Sequence, residues 1–162
     1  MKAKQLTLFK TPSLSHGGTA AKGKRKTMRP IDTKRALHLV LRSTRARGDW
    51  SLLSPRNAKP IRRLIDRMAA RFGVRIYNFS NVGNHLHLIV RVRTRKGFQD
   101  FLRTIAARIA VGVTRAKKGR ALKITSGRKF WDALAFTRVL NWGRDYIDTQ
   151  IYMTKNLFEG EG

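Results

Sequence analysis

The stretch Asn84-His85-Leu86-His87-Leu88-Ile89-Val90-Arg91 decides the fold. On a pleated strand successive side chains point to opposite faces, so His85, His87, Ile89 and Arg91 share one face while Leu86, Leu88, Val90 and Val92 share the other. The leucine face needs a covering layer; the histidine face is left for chemistry. Two imidazoles two residues apart lie roughly 7 Å from each other along a strand, and rotamers can bring a nitrogen of each onto one divalent ion. A half-exposed strand carrying two histidines by chance reads the same way until further ligands are found.

Working outward, Val74 to Phe79 alternates in the same manner, and Ser80-Asn81-Val82-Gly83-Asn84 turns the chain back into the His85 strand, giving an antiparallel pair. Upstream, Ile61, Leu64, Ile65, Met68, Ala69 and Phe72 make one apolar stripe of a helix. Gly73 suits its carboxyl cap, and Pro60, tolerable in a first turn, predicts a start near Asn57 or Ala58. Before that helix, Arg35 to Ser43 reads as a strand with Leu37, Leu39 and Leu41 on one face and His38, Val40 and Arg42 on the other. After the His85 strand come a helix over about 98–117, a strand over 135–140 and a last helix over about 144–158.

The order strand, helix, strand, strand, helix, strand predicts an α+β chain of the ferredoxin-like split βαβ kind. Its four-stranded antiparallel sheet carries two helices on one face, and the C-terminal, tyrosine-bearing helix lies on the open face. Both leucine faces then lie under the helices, so the polar faces of the His38 and His85 strands share the open side.

Charge points to a partner. Lys and Arg number 36 against 9 Asp and Glu, a formal net charge of +27 in 162 residues. Such a surface calls for a polyanion, and nucleic acid is the commonest. Residues 1–32 read as a flexible basic arm in which Lys22, Lys24, Arg25, Lys26 and Arg29 meet phosphates, and 33–162 as the folded domain. Gln5 to Phe9 is a candidate edge strand. With no cysteine, any metal must take nitrogen and oxygen ligands. No apolar run approaches the ~20 residues of a membrane span, so a soluble, cytoplasmic protein is expected.

These features together resemble the HUH single-tyrosine nucleases, named for a His, a hydrophobic residue and a His. The chain is most similar to the small insertion-sequence transposases, especially the REP-associated tyrosine transposases. The resemblance runs from about Arg35 to Gly160. It rests on His38-Leu39-Val40-Leu41-Arg42 in the first strand, Asn84-His85-Leu86-His87-Leu88, and Tyr152-Met153-Thr154-Lys155-Asn156 on the last helix. It implies a single-stranded DNA endonuclease and strand transferase that cuts near DNA hairpins through a 5′-phosphotyrosine link. Tyr152 is then the nucleophile, and His85, His87 and Asn156 hold Mg²⁺ or Mn²⁺. Helical spacing agrees, since residues four apart stack on one side.

Tyr146 and Gln150 repeat the same spacing, so Tyr146 stays open as a rival nucleophile, and both tyrosines could be packing aromatics. His38 reads either as a further ligand or as a hydrogen-bonded structural residue; His16 has no assignable role. Arg42, Arg91 and Arg93 are expected to hold the DNA strand near the metal, and Arg103 and Arg108 to meet phosphate from the second helix. With the chain ending at Gly162, substrate recognition falls to the core and the arm. Relatives include monomers and helix-exchanging homodimers, and either is open here.

Two rivals come from other classes. A non-catalytic ferredoxin-like binder of single-stranded RNA or DNA requires aromatics on the open face of the central strands, where the sequence places His85, His87 and Arg91. A two-motif H-x-T/S phosphoesterase requires a hydroxyl two places after each motif histidine, where Val40 and Ile89 stand instead.

Overall fold

The computed structural model describes residues 14–21, 23, 27–115 and 129–160. Its strands are β1 (Ser15–His16), β2 (Ala36–Arg42), β3 (Val74–Asn81), β4 (His85–Val92) and β5 (Phe136–Leu140). The helices are α1 (Pro55–Phe72), α2 (Arg95–Thr114) and α3 (Arg144–Gly160). The antiparallel sheet runs β1-β5-β2-β4-β3, so the split βαβ order is present in β2 to β5.

The strand count is five where the sequence predicts four. Leu14 to Gly18, assigned to the arm, lies along β5: Ser15 pairs with Arg138 and His16 with Thr137, while Val139 N–H donates to the Leu14 carbonyl (2.9 Å). An edge strand offers a row of unpaired backbone groups that any extended segment can satisfy. Composition therefore carries no trace of β1. Lys22, Lys24, Arg25, Lys26 and the candidate strand Gln5 to Phe9 lie outside the described residues.

One face of the sheet is sealed as expected. Leu37, Leu39, Leu41, Leu86, Leu88, Val90 and Val92 pack with Ile61, Ile65 and Met68 of α1 and with Phe98, Phe101, Ile105 and Ile109 of α2. Each such side chain contributes about 1.5–3 kcal/mol by leaving water. Among the described residues no helix is long and apolar enough to cross a membrane.

Both helices of this layer begin earlier than predicted. Pro55 stands at the start of α1 and leaves Pro60 inside the helix; the carbonyl that Pro60 cannot serve belongs to Arg56, an exposed residue that water can reach. The Asn57 amide donates to the carbonyls of Asp49 (3.0 Å) and Ser51 (2.8 Å), tying down this first turn. Thr94 caps α2 by accepting from Gly97 N–H (3.0 Å), so Arg95 and Lys96, which show no apolar periodicity, are helical.

Gly97 is where α2 meets the end of α1, and a Cβ there would lie 2.5 Å from the Phe72 carbonyl oxygen. Alanine favours a helix over glycine by about 1 kcal/mol, yet backbone cannot yield as a flexible side chain does. Gly97→Ala is expected to destabilise the protein by roughly 1–3 kcal/mol, measured by denaturant unfolding; a gain in stability would show that the two helices can move apart freely.

The opposite face is only half open. Met153 of α3 is buried with Ala36, Ile89 and Leu140, and Tyr77 and Tyr146 pack around them. This small cluster seats α3 on its own chain's sheet.

Candidate active site beside the seated helix

Strand register fixes which side chains are neighbours on the open face. Ser80, His87, Val40 and Phe136 lie in one row across β3, β4, β2 and β5; Ile89, His38 and Arg138 form the next; His85 stands opposite Arg42. Facing residues of antiparallel strands point the same way. Three histidines from two strands therefore meet at one place.

His38 Nε2 and His87 Nδ1 are 3.1 Å apart, a hydrogen bond between rings whose planes differ by only 9°. His85 packs against His87 with centroids 4.6 Å apart, and its Nδ1 is hydrogen-bonded to Asn84 Oδ1. The Tyr152 ring approaches His87 in a T-shaped contact at 5.8 Å, although the residue is 52% exposed. His38, His85, His87, Arg42 and Tyr152 all line one cavity of about 500 Å³. His87 Nε2, by contrast, is buried with no hydrogen-bond partner.

Burial is the main influence on these rings. It pushes His87 down to about 3, with His38 and His85 adding to the effect, and His38 down to about 4, helped by the Arg138 guanidinium. His85 is lowered too, by burial and then by Arg42. Both buried rings are neutral at pH 7, and a neutral imidazole keeps a lone pair for a ligand or a proton.

A stability profile follows. In the unfolded chain these histidines bind protons near the ordinary 6.5; in the folded chain they resist until about 4 and about 3. The unfolded state binds more protons throughout that window, so this contribution is whole above about pH 6.5 and is lost as pH falls toward 3. Thermal unfolding should show a falling Tm over that range, with a shallower fall in His38→Gln; equal slopes would mean that His38 titrates normally.

Tyr152 owes its place to a clamp at the start of α3. Arg138 Nη1 donates to Asp145 Oδ1 (2.7 Å) and Nη2 to Thr149 Oγ1 (2.9 Å), while the other Asp145 oxygen accepts from Asn141 N–H (2.9 Å). Burial raises the Asp145 carboxyl, but Asn141 and Arg138 outweigh it and hold the group below its usual range. Asp145 to Tyr152 is about two helical turns, which carries the clamp's precision to the phenol.

The sequence pattern described as "Transposase IS200 like" matches residues 33–147 of this chain. The chain belongs to the IS200-like transposase family. The matched span holds His38, His85, His87 and Arg138, and it stops before Tyr152 and Asn156. A crystal structure of a transposase candidate from Deinococcus radiodurans R1 is similar over 82% of this chain and 98% of that one, at 15% identity and a TM-score of 0.48. No curated protein sequence matches.

In this transposase-family chain the other predicted residues have diverse fates. Tyr146 packs in T-shaped contact with Tyr77 (6.3 Å) and beside Trp142 (5.2 Å), with its hydroxyl accepting from Gln150 (3.3 Å), away from the histidines. Asn156 is half-buried and one turn beyond Tyr152; its Nδ2 is buried without a partner, and it does not line the cavity. Among the described residues no three His, Cys, Asp or Glu side chains form a closed metal cluster.

Arg42 lines the cavity, 4.0 Å from Asp132. Arg91 donates to the Thr33 carbonyl (3.1 Å) at the far end of β4, and Arg93 packs beside Gly73. Arg103 and Arg108 project from α2, across the sheet from the histidines; Arg103 is paired with Asp100. Arg29 is drawn into the fold, donating to the Ala135 carbonyl (2.9 Å) and to Thr137 Oγ1 (2.5 Å).

Sequence reading missed Ser80, Phe136 and the Arg138 clamp. Ser80 was assigned to a turn, yet β3 continues to Asn81 and sets it opposite His87, buried and with its hydroxyl unpartnered. The late Gly83, at φ 86°, is the signal that places the turn after Asn81.

Proposed function

We propose that this chain is a metal-dependent single-stranded DNA endonuclease and strand transferase that cuts near a DNA hairpin and joins the 5′ phosphate to Tyr152. The observation that carries the reading is the approach of the Tyr152 ring to His87, 5.8 Å between centroids, over a cavity shared with His85 and Arg42. Tyr146 has no such position.

The residues fit a hard or borderline divalent ion. His87 Nε2, buried without a hydrogen-bond partner, is an atom that a metal ion would satisfy. His85 Nδ1, as an N–H, donates to Asn84 Oδ1 and leaves its own Nε2 free. His87 can present Nε2 as a lone pair only with its proton on Nδ1, donating to His38 Nε2. His38 in turn then carries its proton on Nδ1. Asn156, one helical turn beyond Tyr152 and outside the cavity lining, has its Nδ2 buried without a partner, and turning the side chain toward the histidines would bring its oxygen to the ion. Two imidazoles and an amide oxygen suit Mg²⁺ or Mn²⁺ and leave coordination positions open. Such an ion, when bound, would draw charge from a scissile phosphate oxygen.

The chain's own groups do the rest. Tyr152 Oη gives up its proton to solvent and attacks phosphorus, the P–O3′ bond breaks, and the departing 3′ oxygen takes up a proton from solvent; the reverse attack by a 3′-hydroxyl rejoins a strand without ATP. Arg42 supplies positive charge at the cavity wall. Because α3 sits on its own sheet, one chain holds the whole constellation, which favours action as a monomer. The +27 charge supports a place on nucleoid DNA.

The test is incubation of the protein with end-labelled single-stranded hairpin DNA and Mn²⁺, followed by denaturing electrophoresis. Label carried at the 3′ end should migrate with the protein. Binding without any covalent product, across hairpins drawn from the DNA flanking the gene, would leave a binding protein and end the nuclease reading.

A further inference from the structure

The cavity is larger than an ion and a phosphate require. At about 500 Å³ it falls within the ~300–1,000 Å³ of pockets that enclose small ligands. Its polar lining includes the three histidines, Arg42 and Arg138, with Asp132 and Asp148 beside them. Its apolar lining includes Phe136, Leu134, Val40 and Ala20.

The segment after the added strand closes against this apolar lining. Gly17 and Gly18, at φ 79° and 73°, turn the chain after β1 and press its backbone onto β5. A Cβ on Gly17 would lie 2.2 Å from the Ala135 carbonyl oxygen, and one on Gly18 would lie 3.4 Å from the Phe136 ring. Gly18 N–H donates to the Leu134 carbonyl (2.8 Å), fixing the wall in place. Phe136 is further held by a T-shaped contact with His38 at 6.2 Å. Gly17 to Ala20 lie outside the part of the chain that matches the transposase family, whereas Val40, Leu134 and Phe136 lie within it.

We infer that the cavity beside Phe136, on the side of the ring that Gly18 does not cover, takes one unpaired nucleobase, that of a nucleotide bonded to the scissile phosphate. The inference rests on the nuclease reading for the location of that phosphate. The part of a single strand that is flat, apolar on its faces and joined within one sugar to a phosphate is a base, and bases stack on aromatic rings whatever their identity. Row geometry agrees: Phe136 lies in line with His87, separated from it by Val40 alone. A duplex keeps its bases inside the stack, so the pocket also selects for unpaired DNA.

The experiment uses the full chain with Tyr152→Phe, without metal, so that no cleavage occurs. An oligothymidylate of about a dozen nucleotides containing one 5-iododeoxyuridine is bound at about 0.3 M salt, where phosphate contacts are weakened, then irradiated, and the crosslinked peptide is mapped. The crosslink is expected at Phe136. In parallel, Phe136→Ala should weaken binding on the order of tenfold, and Phe136→Trp should restore it. A crosslink confined to the Tyr77, Trp142 and Tyr146 cluster, or affinity within about twofold of the parent in a Phe136→Ala variant of unchanged Tm, overturns the subsite. Should Phe136→Ala not fold, the crosslink map decides alone. Since neither readout needs metal or an adduct, the subsite and the nucleophile stand or fall separately.

Discussion

Tyr152→Phe should abolish the covalent protein–DNA adduct of the proposed reaction, by on the order of a thousandfold or more, because removing a nucleophile leaves only what binding can do. The substitution deletes one oxygen from a ring that is 52% exposed, so folding and strand affinity should be unchanged. Tyr146→Phe is the control. It removes the hydrogen bond from Gln150, a loss of about 1 kcal/mol or less, and should leave the adduct in place. Quantifying 3′-labelled DNA retained with denatured protein separates the two; adduct lost with Tyr146→Phe and kept with Tyr152→Phe would transfer the role.

His87→Ala should remove measurable Mn²⁺ binding by isothermal titration, since it takes away the one buried and unpartnered ring nitrogen at the site. Its neighbour gives the finer test. In the tautomer that leaves His87 Nε2 open to a metal, His38 accepts the Nδ1 proton across 3.1 Å, and such supporting contacts are worth about 10–100-fold in metal affinity. His38→Leu should show that loss, whereas His38→Gln, whose amide oxygen can accept the same proton, should retain most of the affinity. Equal loss in both variants would make His38 a packing residue only.

Much of the scaffold was legible because it is written in local periodicity. The period-two leucines of β2 and β4 named the buried face, and the stripe from Ile61 to Phe72 named α1. What escaped depends on contacts remote in the chain. β1 is held through backbone groups that every residue carries, so the sequence of Ser15 and His16 says nothing of it. The first turns of α1 and α2 are fixed by Pro55 and by the Thr94 cap, where apolar spacing gives no signal.

The site divides in the same way. His85, His87 and Tyr152 stand in short patterns whose order along the chain could be read. The clamp of Arg138 on Asp145 and Thr149, the hydrogen bond between His38 and His87, and the meeting of Gly18 with Phe136 arise only once strands are paired. In a chain with 36 basic residues, sign alone could not sort arginines by face. Arg42 reaches the cavity, Arg29 is folded under β5, and Arg103 and Arg108 lie on the other side of the sheet.

Anomalous scattering from crystals soaked in Mn²⁺ tests most directly whether His85 and His87 hold an ion within reach of Tyr152. The expected result is one strong peak in contact with Nε2 of both histidines, on the side facing the Tyr152 hydroxyl. A peak elsewhere, or none at Mn²⁺ concentrations that support DNA cleavage, would contradict it.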